Sequence, residues 1–143
     1  MKKVLLGFTT ALLTVILCLT LAGCASSVAG KTYNYDSFTV KYDDSVSNED
    51  KESYEKVIDA ALSLYKISYT FDENGKVNPV AGISLVSYEQ DGNKVTLKGS
   101  LSGVSTTQFT VSGSKLKTTL SSKDLNLTNI AGVTDVTIIY KQK

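Results

Sequence analysis

Three kinds of pattern divide the chain. From Val4 to Ala22 no residue carries a charge. One stretch near the middle repeats its apolar residues at the helical period, and most of the rest alternates apolar with polar at the period of a strand. Tyr33 and Tyr35, then Phe38, Val40 and Tyr42, alternate with polar residues and predict a first strand over 31–42. The phase slips at Asp36-Ser37, which calls for a bulge or a short turn there. Tyr54, Val57, Ile58, Ala61, Leu62 and Tyr65 then follow the i, i+3, i+4, i+7 rule and predict a helix over 48–64. Ser47-Asn48-Glu49-Asp50 before it is a helix start signal. The opposite face, with Glu52, Glu55, Lys56, Asp59 and Ser63, is mainly acidic and would repel anionic lipid, so the apolar face is expected to pack on the core.

After Tyr65 the period returns to two. Tyr65, Ile67, Tyr69 and Phe71 lead to a turn at Glu73-Asn74-Gly75. Residues 76–80 read as a weak strand that Pro79 confines to an edge or a strand end. Residues 83–90 and 94–98 flank Asp91-Gly92-Asn93, and 108–111 and 115–120 flank Ser112-Gly113-Ser114, two hairpin signals. Residues 125–130 read as a further short strand and 133–140 as the last. The expected fold is mainly β: one antiparallel meander closing into a barrel of seven or eight strands, with the helix inserted after the first strand. A two-sheet β-sandwich is the alternative, because alternation shows which face is buried and not whether a sheet closes.

Met1-Lys2-Lys3, the uncharged core and the small residues after it describe an export signal over 1–23. Leu21-Ala22-Gly23-Cys24 resembles the lipobox of bacterial lipoproteins at every position. The resemblance implies a diacylglyceryl thioether on Cys24 and cleavage before it, leaving Cys24 as the first residue of the mature protein. A retained transmembrane helix, which needs about 20 apolar residues, would leave Gly23-Cys24 unexplained and would carry four threonines. Two or more acyl chains hold a protein stably on a bilayer. Ala25 to Gly30 forms a short tether of at most about 20 Å, and residues 31–143 form the folded domain. Lysine without any arginine points to an AT-rich, Gram-positive source, which would place the protein outside the cytoplasm on the cell membrane.

Composition matters chiefly by what it removes. The signal takes two of the 15 lysines and none of the 14 acids, so the remainder is slightly acidic and unsuited to nucleic acid. With no histidine there is no His-based zinc site and no Ser-His or Cys-His catalysis. One cysteine past the signal permits no internal disulfide, so the domain must be held by its core.

Gly30-Lys31-Thr32-Tyr33, followed by Phe71-Asp72-Glu73-Asn74-Gly75-Lys76-Val77 and Tyr88-Glu89-Gln90-Asp91-Gly92-Asn93-Lys94-Val95, resembles small secreted lipoproteins of the lipocalin-like, or calycin-like, kind. The resemblance implies a lipid-anchored, non-enzymatic binding module whose barrel holds a small apolar ligand. The alternative is a surface interaction protein, adhesive, inhibitory or structural in the envelope, with an envelope protein as partner and no small ligand.

No catalytic, metal or cofactor site is expected. The acid pairs Asp43-Asp44, Glu49-Asp50 and Asp72-Glu73 sit at turns or at the helix start and match no calcium loop. Ser-x-x-Lys occurs at Ser53, Ser63, Ser112 and Ser114, as chance allows in a chain rich in both residues. No ligand residue can be named from the sequence. Tyr54, Tyr65 and Tyr69 fall on buried phases, and Tyr33 and Tyr35 are freer to line a binding surface.

Overall fold

The structure is a computed structural model that describes residues 26–79, 86–98 and 108–143. Eight antiparallel strands pair in chain order and close into a barrel: β1 (Lys31–Tyr42), β2 (Ser68–Phe71), β3 (Lys76–Pro79), β4 (Val86–Asp91), β5 (Lys94–Lys98), β6 (Gln108–Ser112), β7 (Lys115–Ser121) and β8 (Val133–Gln142). The barrel is the expected architecture, and the sandwich is not formed. Closure is made by β1 against β8, paired from Tyr33↔Gln142 to Tyr42↔Val133. The register shifts between Tyr35 and Ser37, so the expected bulge is present. Its effect is to keep Tyr35, Phe38 and Val40 in register with the buried residues Tyr140, Ile138 and Val136.

One α-helix among the described residues, α1 (Asn48–Ala61), follows β1 and continues as a 3-10 turn over Leu62–Tyr65. The Asp50 N–H donates to the Ser47 hydroxyl at 3.1 Å, and that hydroxyl donates to the Asp50 carboxylate at 2.6 Å. This side-chain pair caps the helix where the sequence predicts its start. The predicted end is different: the chain tightens at Leu62, and Tyr65 belongs to the 3-10 turn instead of opening a strand. Residues 125–130, expected as a strand, form turns, with Asn126 at a positive φ.

The helix has a structural task. β2 pairs with β1 only from Lys31 to Asn34, while β1 runs on to Tyr42. Along that unpaired stretch α1 returns beside β1. The Tyr42 hydroxyl donates to the Lys51 carbonyl at 3.4 Å, and Lys66 Nζ lies 5.7 Å from the Tyr35 ring. Ile58, Leu62 and Tyr65 are buried, so the helix covers a side of the barrel that a strand would otherwise close.

The two ends differ. One carries the tight turns after β2, β4 and β6 together with the ends of the described chain; the other carries the segment 43–67 and the loop 122–132. At that second end Gly132 sits at φ +80°, its carbonyl accepting the Asp43 N–H at 2.8 Å. A side chain there would collide with Val46 as well as strain the backbone.

Candidate functional site

The barrel interior is the first place to look for a site, and among the described residues its inward side chains are buried against one another. Tyr33, Tyr69, Phe71, Val95, Leu116, Val136, Ile138 and Tyr140 are all fully buried, and Leu97, Phe109 and Val111 nearly so. Rings meet edge to face: Tyr69 with Phe109 and with Tyr140, each at 5.2 Å between centroids, and Phe71 with Tyr88 at 4.9 Å. Such pairs are worth about 0.5–1.5 kcal/mol each beyond the area they bury. The alternation that predicts the strands therefore also supplies their filling. Ile67, expected with this interior set, is only half-buried.

Polar atoms inside are few. The Tyr140 hydroxyl donates to the Tyr65 carbonyl at 2.8 Å, tying β8 to the 3-10 turn. The Tyr33 hydroxyl is buried without a hydrogen-bond partner, and the buried Tyr69 hydroxyl has that of Tyr140 as its polar neighbour. Burial pushes the Tyr69 hydroxyl up to about 12 and raises those of Tyr33 and Tyr140 above their ordinary range. Tyr33, expected to be free, is thus a core residue, because it stands opposite Tyr69 in the β1–β2 register. Tyr35 is half-buried beneath Lys66, which is fixed in turn by Asp59, both carboxylate oxygens lying 2.7 Å from its ammonium.

Two concavities lie outside. One, of about 570 Å³, is open to solvent between β1 and α1 and is lined by Phe38, Glu52, Glu55, Lys56 and Asp59. The other, of about 330 Å³, includes Lys94, Gln108, Thr110, Lys117, Thr119 and Thr137. Val57 and Leu64, one helical repeat of seven apart, are about half exposed, at 51% and 57%.

Several carboxylates are accounted for locally. Asp43 accepts from the Ser45 hydroxyl and N–H, and Asp124 from those of Ser121, which hold both carboxyls below their usual range. Asp72 accepts the Asn74 and Lys76 N–H groups and so closes its turn. Among the described residues no group of three or more His, Cys, Asp or Glu is placed to hold a metal. No helix of the described residues is long and apolar enough to cross a membrane.

Cys24, Ala25 and the residues expected as a signal, 1–23, lie outside the described residues, but residues 26–30 of the expected tether lie within them. Val28 is fully buried, its N–H donating to the Gln90 side-chain carbonyl at 2.9 Å, while the Gln90 amide donates to the Ser26 carbonyl at 3.0 Å. Gly30 N–H reaches the Phe71 carbonyl at 2.8 Å. Residues 26–30 are therefore a docked strap across the tight-turn end. In the sequence the only trace is one apolar residue, Val28, before a glycine.

No protein-family model, curated protein or solved structure matches the chain.

Proposed function

We propose that this chain is an exported lipoprotein, anchored through Cys24 outside the cytoplasm, and that it acts without catalysis as an interaction module working through the outside of its barrel. The observation that carries this choice over an internal ligand is the burial of the described inward side chains against one another. A small apolar ligand would have to displace side chains such as Phe109 and Ile138, which are 2% and 0% exposed, and close-packed interiors hold few voids larger than a water molecule. The barrel is then a rigid support, and the concavities by α1 and along β5–β8 are the surfaces left for an envelope partner. The anchoring half of the reading rests on the basic start, the uncharged core and Leu21-Ala22-Gly23-Cys24. Native mass spectrometry of the full-length gene product, released gently from membranes, tests the choice. A mass equal to the processed, acylated chain alone is expected; a retained small molecule lost on unfolding would return the function to the barrel interior.

A further inference from the structure

The charges of the barrel are sorted between its ends. At the tight-turn end strands begin on Lys31, Lys76, Lys94 and Lys115, and Lys141 and Lys143 lie at and just past the end of β8, against Asp72, Glu73 and Asp91. The segments 43–67 and 122–132 hold the reverse, eight acids against four lysines. Residues 80–85 and 99–107 contain no charged residue, so they leave this balance unchanged.

None of the six lysines makes an ion pair among the described residues, and all but Lys31 are exposed. Lys115 and Lys141 stand directly opposite each other on neighbouring strands. Like charges so placed oppose the fold, and neither lysine has an ion-pair partner among the described residues. An external anionic surface would offset them.

The strap says where that surface lies. Ser26 is already held by Gln90, which leaves Ala25 alone between the barrel and Cys24. A chain fixed this closely cannot present another end to whatever holds Cys24. We propose that the lysine-rich, tight-turn end rests on the anionic phospholipid headgroups of the bilayer, so that α1 and the loop 122–132 face away from it. This rests on the anchoring reading above and adds a second contact to it. Lysines near an anionic surface are attracted over about one Debye length, and the acidic segments are turned outward by the same field.

The chain has no tryptophan, so a single one is a clean fluorescent reporter. Ser114→Trp marks the tight-turn end and Ser53→Trp marks α1; both positions are exposed. Each full-length variant would be expressed with its signal, purified from membranes, and reconstituted in vesicles carrying a quencher on the lipid headgroup. The vesicles are phosphatidylcholine alone or mixed with phosphatidylglycerol. The expected result is strong quenching at position 114 and little at position 53, dependent on phosphatidylglycerol and weakened by salt. It should be lost when Lys76, Lys94, Lys115 and Lys141 are all changed to Gln, while the unfolding midpoint does not fall. Equal quenching at both positions, or quenching at 114 indifferent to anionic lipid and to the four substitutions, would overturn the proposal. Intact mass separates the two readings. A chain found uncleaved and without acyl groups would sink the anchoring reading, while the lipid and salt dependence of quenching at position 114 still decides on the lysines.

Discussion

Gln90 shows how much one side chain can settle. Its register partner is Val95, so it points into the barrel mouth, where an uncharged amide can donate to one strap carbonyl and accept one strap N–H. Tyr140 acts similarly inside, and its two neighbours do not. Tyr140→Phe removes the buried hydrogen bond to the Tyr65 carbonyl and is expected to cost about 1–2 kcal/mol, whereas Tyr33→Phe removes an unpartnered hydroxyl and should be neutral or stabilising. Urea midpoints of the two variants check the pair. Gly132→Ala should lower the midpoint further than either, since it adds a clash with Val46 to left-handed strain. The buried tyrosines also set a pH dependence. The core holds them neutral, so their folded-state values lie above the ordinary 10.0, with Tyr69 at about 12. Their contribution is complete below pH 10 and is lost as pH rises towards 12, by up to about 1.4 kcal/mol per unit for each group. Midpoints measured from pH 8 upward should stay level and then fall.

At the scale of elements, α1 replaces a strand along the unpaired part of β1, and its residues divide accordingly. Ile58→Ala, at a fully buried position, is expected to cost about 2–4 kcal/mol, while Val57→Ser, at an exposed one, should change stability by less than about 0.5 kcal/mol. Both come from denaturant titrations with an unchanged m-value. Period alone assigns Val57 and Ile58 to the same stripe. Which of them the barrel covers depends on where β2 leaves β1, a long-range fact that the helix sequence does not carry. The strands, their turns and the bulge at Asp36-Ser37 were legible because period and turn chemistry are local. Residues 125–130 failed for the same reason: Leu125 and Leu127 alternate as a strand would, yet they are buried from within turns. The strap stayed hidden because a single Val28 has no period.

The whole molecule adds what neither residues nor elements specify. Closure of β1 on β8 turns a one-sided sheet into a barrel in which the stretch of β1 unpaired by β2, beyond Asn34, lies beside α1, and it gathers scattered lysines at one end and most acids toward the other. The anchor proposed at Cys24 rests on the sequence alone, whereas the strap at residues 26–30, tied to Gln90, became visible only with the barrel. Val28→Ala should therefore loosen the tight-turn end, costing about 2 kcal/mol and raising amide exchange at Ser26, Val28 and Gly30. Everything proposed for orientation depends on an anchor at that end. The most direct test is the intact mass and N-terminal peptide of the protein isolated from bacterial membranes, with and without globomycin. The account predicts a chain that starts at Cys24 with a diacylglyceryl thioether, and an accumulating precursor when the drug is present. A chain that keeps residues 1–23 and carries a free Cys24 thiol, unchanged by globomycin, would contradict it.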